Sequence, residues 1–255
     1  MYCSVDDLTE FYKTEIGSIV QNILGRQIAE IWPDLKGLRV LGCGYACPYL
    51  HGIQSQNPER VLAMMPDSQG AIAWPLECKN LVLKCSEEAL PIENASIDRI
   101  LLVHHLEYSQ NIESAVSEIW RILKPNGRAL VVAPNRLGAW VHADWSPLGQ
   151  GRPFTQGQLA QFLTKQQFLI ENSNKCLFVP PMPDSPIMMK SANVIERLGA
   201  SFLPFVAGLH IVEVSKQIYA NVDKTGGGSA VLSKTKEILA GKTRPIAQGF
   251  FPSDS

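Results

Sequence analysis

Residues 38–46 read LRVLGCGYA, and their pattern gives the strongest indication of the fold. The short, mostly apolar segment Leu38–Leu41 predicts a buried strand. Gly42 and Gly44 follow it, and Pro48 suits the first turn of a helix. Glycines let a backbone approach a ligand, and a helix N-terminus offers free N–H groups. The stretch therefore predicts a strand, a ligand-binding loop and a helix. It lacks the third glycine and the acid about 20 residues downstream that favour NAD.

Alternating strands and helices continue along the chain. Further strands are predicted by the apolar runs Val61–Met65, Leu81–Leu83, Ile100–Val103 and Ala129–Ala133, with a helix at Glu113–Leu123. This alternation is typical of an α/β fold with a largely parallel sheet. The pattern breaks after the fifth strand into an irregular insertion, residues 135–155, rich in Gly, Pro and Trp. Later segments complete the fold, with helices expected at Gln158–Lys165 and Ser191–Leu198 and strands at Phe168–Val179 and Gly208–Ile218.

The predicted layout is one domain and a tail. Apolar residues at three- and four-residue spacing predict an amphipathic helix over residues 5–32, ended by Pro33. The domain is expected to span residues 1–220, with its core at 38–136. Residues 221–255 open with a TGGGS segment and are interpreted as a C-terminal tail.

The charge balance excludes several classes of function. The 255 residues carry 23 basic and 24 acidic side chains, a net charge of −1, so neither a nucleic-acid nor a membrane partner is expected. The first ten residues are acidic where a secretory signal would be basic and then apolar. Six cysteines are scattered without CxxC spacing. A cytoplasmic protein with no metal site is the expectation.

Three segments together resemble one protein family. They are LGCGYA at residues 41–46, EALPIENASIDRILLVHHLEYSQN at 88–111 and AVSEIWRILKPNGRALVVAPNR at 115–136. In order and spacing they are similar to class I S-adenosylmethionine-dependent methyltransferases of the methyltransferase type 11 family. The resemblance covers roughly Leu38–Arg136. It implies a Rossmann-like, seven-stranded, mostly parallel sheet flanked by helices, and transfer of a methyl group from S-adenosylmethionine.

The resemblance also implies where the cofactor lies. Its contacts are expected along the ends of the first four strands, at Gly42, Gly44, Ala46, Met65, Ser86, Glu87 and His104. The family usually has acids at the positions of Val40 and Met65, and the second accepts hydrogen bonds from the ribose. Neither Val nor Met can replace a carboxylate there. Asp67 is the nearest substitute for the ribose contact. The predicted cofactor is S-adenosylmethionine, and the alternative is that its binding is weak or lost because nothing replaces the two acids.

The insertion supplies the candidates for substrate chemistry. His142 and Asp144 are the predicted catalytic residues, since either could accept a proton from an acceptor. Substrate contacts are predicted at Asn135, Arg136, Trp140, Trp145 and Arg152. Aromatic faces suit a flat or cationic acceptor, and Arg152 suits a carboxylate. The alternatives are that both Trp residues fasten the loop to the core and that Arg152 is a surface charge.

Two functions remain open from sequence alone. The first is a methyltransferase acting on an unidentified acceptor, expected to be a small molecule. The second is a methyltransferase-fold protein without catalysis that binds a protein partner. The second hypothesis stays open because Val40 and Met65 cannot make the charge-assisted hydrogen bonds of the usual acids. Each such bond is worth roughly 1.5–3 kcal/mol.

Overall fold

The structure is a computed structural model that describes residues 3–76, 78–182, 191, 194–199 and 206–216. The predicted tail at 221–255 lies outside the described residues, as do parts of the expected 191–198 helix. The helices are α1 (Val5–Lys13), α2 (Glu15–Ile31), α3 (Cys47–Gln54), α4 (Ile112–Ile122), α5 (Pro147–Gln150) and α6 (Gln156–Lys165). The strands are β1 (Arg39–Gly44), β2 (Arg60–Pro66), β3 (Val82–Cys85), β4 (Ile97–Val103), β5 (Leu123–Pro134), β6 (Phe168–Cys176) and β7 (Leu209–Lys216).

The seven strands form one sheet in the order β3-β2-β1-β4-β5-β7-β6. The pairs from β3 to β5 are parallel, and β7 is antiparallel to both β5 and β6. The predicted Rossmann-like α/β class is confirmed. Within the sheet, the chain moves from β1 to β2 in one direction and from β4 to β5 in the opposite direction. Right-handed crossovers therefore put α3 and α4 on opposite faces of the sheet.

The N-terminal segment forms two helices where the sequence predicted one. Thr14 ends α1 in an extended conformation and caps α2, because its hydroxyl donates to the Phe11 carbonyl and accepts from the Gly17 amide. The turn is tight: a Cβ on Gly17 would stand 2.0 Å from the Phe11 carbonyl oxygen. Apolar periodicity continues across this break, so the pattern does not reveal it.

The Pro125-Asn126-Gly127 segment, whose residue types are typical of a turn, lies inside the strand β5. β5 begins at Leu123, opposite Ile97, and its regular pairing with β4 resumes at Arg128 opposite Arg99. Asn126 has a positive φ of 62°, a conformation that Asn tolerates better than most residues. The segment is therefore an irregularity of β5 across which its pairing register with β4 shifts.

The 135–155 insertion folds back on itself. It contains a 3₁₀ turn at Ala139–His142 and the short helix α5. A parallel bridge between Asn135 and Phe154 brings its two ends together at the carboxyl end of β5. Among the helices that the structure describes, none is long and apolar enough to cross a membrane.

Candidate functional site

The glycine loop lies where two neighbouring strands end. β1 and β4 pair with Gly44 opposite Val103, and the Tyr45 amide donates to the Val103 carbonyl at 2.8 Å. His104 follows Val103 directly and has a positive φ of 50°. The loop after β1 and the turn after β4 therefore meet at the carboxyl edge, where open α/β folds bind their ligands.

Both glycines of the loop are required by the packing of the chain itself. Gly44 has a φ of 76°, and a Cβ there would lie 2.4 Å from the Val103 carbonyl oxygen. A Cβ on Gly42 would lie 2.7 Å from the Cβ of Ala46, which is itself buried. The loop thus has the strand-turn-helix geometry that the sequence predicted, at a close approach between β1, α3 and β4.

Helix α1 covers this loop. The ring of Tyr12 stacks on that of Tyr45 with centroids 5.5 Å apart, and the Thr9 hydroxyl lies 3.0 Å from the Tyr45 hydroxyl. At its start, the Val5 amide donates to the Gln69 carbonyl beyond β2. Near its end, Phe11 contacts the ring of Trp140 in the insertion. One helix therefore spans the carboxyl edge from the β2 side to the β5 side.

A buried chain of polar groups joins α1 to the end of β4. The Tyr12 hydroxyl lies 2.9 Å from His104 Nε2, and His104 Nδ1 lies 3.1 Å from Glu107 Oε1. A carboxylate only accepts, so Nδ1 carries the hydrogen, and in this tautomer Nε2 accepts from the Tyr12 hydroxyl. The Tyr12 oxygen is also 2.9 Å from the Tyr49 hydroxyl. Burial raises the pKa of Tyr12, which keeps this hydroxyl protonated.

Sequence reasoning named His104 but missed Tyr12 and Glu107. Tyr12 looked like another core position of an amphipathic helix, since only the folded chain brings it to His104. Glu107 offered a weak signal, as an acid three residues after His104 in a segment that is otherwise apolar or neutral. We call Tyr12, Tyr49, His104 and Glu107 the tyrosine–histidine cluster.

Several polar atoms beside the cluster lack partners within the described part of the chain. Glu107 Oε2 and both ring nitrogens of His105 are buried without a hydrogen bond there. His105 Nε2 approaches Glu87 Oε2 only to 3.5 Å, which is too long for a good hydrogen bond. Burial lowers the pKa of His105 to about 4, so its ring is neutral at pH 7. Unpaired buried polar atoms of this kind call for an explanation, such as an ordered water or a polar ligand that completes their hydrogen bonds.

The ends of β2 and β3 differ from one another. Met65 is 1% exposed, and its sulfur accepts from the Ile72 amide at 3.4 Å. Ser86 is exposed, whereas Glu87 is buried and accepts from the Ser109 hydroxyl at 2.7 Å. Burial raises the pKa of Glu87. Asp67 is exposed beyond β2. The β2 end is thus apolar, and Glu87 turns toward the β4 side of the edge.

The predicted substrate residues divide into a buried group and an exposed group. Asn135 donates to the Ala207 carbonyl at 2.7 Å, and the Trp140 indole donates to the Val179 carbonyl at 2.7 Å, so both side chains fasten the insertion. The exposed group comprises Arg136, His142, Asp144, Trp145 and Arg152.

The two exposed arginines meet at one cavity. Arg136 and Arg152 line it together with Phe154, one of the bridged ends of the insertion. His142 and Asp144 stand on the other part of the insertion, where Trp145 packs 6.2 Å from the ring of Trp140. In the described part of the chain, no group of three or more His, Cys, Asp or Glu side chains is placed to hold a metal ion.

Comparisons with known proteins agree with the geometry. A family model described as a methyltransferase domain matches residues 40–131. A search of curated proteins gives no match. Three of the similar solved structures come from different organisms. An S-adenosylmethionine-dependent methyltransferase from Mesorhizobium loti is 14% identical, with a TM-score of 0.56 over 75% of this chain and 96% of that one.

The other two cover more of this chain. A possible histamine N-methyltransferase from Thermotoga maritima is 16% identical, with a TM-score of 0.58 over 84% of this chain and 96% of that one. A complex between the Haloferax volcanii Trm112 methyltransferase activator and a proposed methyltransferase is 13% identical, with a TM-score of 0.57 over 85% and 99%. The chain therefore has the fold of class I S-adenosylmethionine-dependent methyltransferases, and its residues 40–131 match a methyltransferase domain.

Proposed function

We propose that this protein transfers a methyl group from S-adenosylmethionine to a small-molecule acceptor. The observation that carries the proposal is the meeting of the glycine loop and the His104 turn at the ends of β1 and β4, inside the matched domain. When bound, the cofactor supplies a methyl group to a lone pair of the acceptor, and the electron pair of the broken C–S bond stays on sulfur. Alignment of the two reactants accounts for much of such an acceleration.

The residues present fit this cofactor at one end better than at the other. Gly42, Gly44 and Ala46 would hold it on one side. On the other side stand His104 and the unpaired buried atoms of His105 and Glu107. The ribose end fits less well, because Met65 offers no strong acceptor, and Asp67 would have to supply one. Ser86 and Glu87 remain the candidates beside the adenine.

Proton transfer has two candidate locations. The first is the exposed pair His142 and Asp144, as expected from the sequence. The second is His104, whose Nε2 is the accepting nitrogen and whose Nδ1 is held by Glu107. A histidine oriented by a carboxylate is a common general base. The Tyr12 hydroxyl occupies the hydrogen-bonding position at His104 Nε2, so an acceptor would reach this nitrogen only when that hydroxyl moves away.

A second candidate is a methyltransferase-fold protein that works by binding a protein partner. Two observations favour it: Met65 is buried in an apolar setting, and α1 satisfies His104 with the protein's own hydroxyl. A methyltransferase activator occurs in the Haloferax volcanii complex of similar fold, so a protein partner is chemically reasonable for this fold.

Calorimetric titration with S-adenosylmethionine and S-adenosylhomocysteine tests the first proposal. A methyltransferase predicts dissociation constants at or below roughly 100 μM, in the range of cellular cofactor concentrations. Tyr12→Ala should bind more tightly if α1 competes with the ligand, whereas Tyr12→Phe keeps the ring that stacks on Tyr45 and should gain less. A thermal-denaturation scan of each variant controls for folding.

Absence of heat from the wild type and from Tyr12→Ala, with both proteins folded, would overturn the methyltransferase proposal. Stoichiometric recovery of one protein with the tagged full chain would then support the partner-binding candidate. Binding of both ligands would turn the question to the acceptor.

A further inference from the structure

A cavity of about 330 Å³ opens on the β4–β5 side of the carboxyl edge. Its apolar walls include Ile112 at the start of α4, Phe162 of α6 and Phe154 at the end of the insertion. Ser109 and the two arginines Arg136 and Arg152 supply polar groups. Its size is at the lower end of the range of roughly 300–1,000 Å³ that small-molecule sites occupy.

The charges around the cavity have one sign. Two guanidinium groups line it, and none of its described lining residues is acidic. On the polar wall, the Ser109 hydroxyl donates to the Glu87 carboxylate at 2.7 Å. The N-terminal turns of α4 and α6 also border the cavity, through Ile112 and Gln158. Helix N-termini favour anions, so they add to the field of the arginines.

The two arginines differ in how they are held. The Arg136 Nε and Nη2 atoms donate to the Pro153 carbonyl at 3.4 and 3.1 Å, which fixes the guanidinium at the rim. The Arg152 backbone amide donates to the Glu107 carbonyl at 2.9 Å, so the residue is anchored to the segment after β4. Within the described residues, the guanidinium of Arg152 has no hydrogen bond or ion pair. It is free to pair with a ligand.

We propose that this cavity binds a small molecule with an oxyanion group, a carboxylate or phosphate, on an apolar body. The guanidinium of Arg152 would pair with the oxyanion, since its planar fork matches both groups. Phe154, Phe162 and Ile112 would cover the apolar body. The identity of this molecule as the methyl acceptor rests on the proposed methyltransferase function. The binding site itself does not depend on that function.

The position of the cavity makes an acceptor a reasonable occupant. Ser109 and Leu106 on its wall belong to the same turn as His104 and Glu107. Arg152 hydrogen-bonds to the backbone of Glu107, the residue that orients His104. A ligand held at the arginines therefore lies next to the segment that carries the candidate base.

Calorimetry of the full chain with four ten-carbon probes tests the site. Decanoate and decyl phosphate carry the two oxyanions, decanol is neutral, and decyltrimethylammonium is cationic; all are used below the concentrations at which they aggregate. We expect one or both anions to bind, and at least tenfold more tightly than decanol or the cation. Arg152→Gln should weaken anion binding about tenfold or more, because a charge-assisted pair is lost. Arg136→Gln should weaken it less.

Arg60→Gln is the matched control, since Arg60 is an exposed arginine at the start of β2, remote from the cavity. Its anion binding should equal that of the wild type. Phe162→Ala should weaken decanoate binding and should not strengthen binding of decyltrimethylammonium. Equal binding of anion and cation would overturn the proposal. So would failure of both anions to bind, or anion binding that survives the double substitution of Arg136 and Arg152.

The two proposals fail separately. Anion binding without any heat from S-adenosylmethionine would keep this site and remove its assignment as an acceptor site. Cofactor binding without anion binding would overturn the site and leave the methyltransferase proposal standing.

Discussion

The carboxyl edge of the sheet has two unlike halves. On the β1–β4 half, α1 lies over the glycine loop, and Tyr12, His104 and Glu107 form a closed chain of buried hydrogen bonds. On the β4–β5 half, Arg152 stands beside an open cavity with no partner in the described residues. On the first half, which we call closed, Tyr12, Tyr49 and His104 are paired with the protein's own groups. On the second half, which we call open, the Arg152 guanidinium has no partner among the described residues. We therefore expect substitutions in the closed half to act mainly on stability, and those at the arginines of the open half to act mainly on binding of the proposed ligand.

The largest expected effect is the difference in stability loss between alanine substitutions of the two tryptophans of the insertion. Trp140 is 1% exposed and hydrogen-bonded, whereas Trp145 is 48% exposed. Trp140→Ala should lower the free energy of unfolding by about 3–5 kcal/mol, because it leaves a cavity under α1. Trp145→Ala should cost about 1 kcal/mol or less. Urea denaturation measures both, and equal losses would contradict the division of the insertion into a buried and an exposed part.

Two glycines, Gly44 on the closed half and Gly157 on the open half, test the same comparison. Gly44→Ala should lower the free energy of unfolding by about 2–4 kcal/mol, because its positive φ and the nearby Val103 carbonyl oppose a Cβ. Gly157 of α6, on the open half, has no atom within 4 Å of its added Cβ. Gly157→Ala should therefore raise that free energy by up to about 1 kcal/mol. Chemical denaturation of the two variants should give changes of opposite sign.

Acid should lower the stability of the folded protein, in part through His105 on the closed half. Burial lowers the pKa of His105 to about 4 in the folded protein, below the value of 6.5 for an exposed histidine. Between pH 6.5 and 4 the unfolded chain binds more protons, so stability falls as pH falls through this window, by on the order of 2 kcal/mol. His210, whose pKa burial also lowers to about 4, should add a similar loss.

Denaturation at a series of pH values checks this prediction. His105→Gln should flatten part of the slope, while His51→Gln, at an exposed position of α3, should leave it unchanged. A wild-type stability that stays constant from pH 6.5 to 4 would show that the two buried rings do not govern it.

The smallest expected effect concerns one hydroxyl. Tyr12→Phe keeps the stacked ring but leaves His104 Nε2 and the Tyr49 hydroxyl short of a partner, so it should cost about 1–2 kcal/mol. Tyr45→Phe removes only the partly buried contact with Thr9 and should cost less. Urea titrations of the two variants compare them directly. A larger loss in Tyr45→Phe would mean that the closed half depends on the Tyr45–Thr9 contact more than on the tyrosine–histidine cluster.

Much of the scaffold was predictable because its signals are local. The Leu38–Ala46 stretch is a strand, turn and helix in the structure, since apolar periodicity and glycine placement act within a few residues. Most strand runs after it lie within a few residues of the observed strands, but β5 begins at Leu123, six residues before the predicted Ala129. The break at Thr14 was missed, because the apolar spacing continues across it and only the contact of Gly17 with Phe11 requires a turn there.

The site was predictable only in part, since it depends on which distant residues meet. Sequence alone determined the α/β alternation, the glycine loop, the missing acids at Val40 and Met65, and the candidate status of His104, Arg136 and Arg152. Only the tertiary structure decided that Tyr12 pairs with His104, 92 positions away along the chain. It also decided that Asn135 and Trp140 fasten the insertion, while Arg136 and Arg152 share a cavity. The local sequence pattern predicts which residues are buried and where turns occur. Side-chain partners instead depend on how segments that are distant in the sequence pack together.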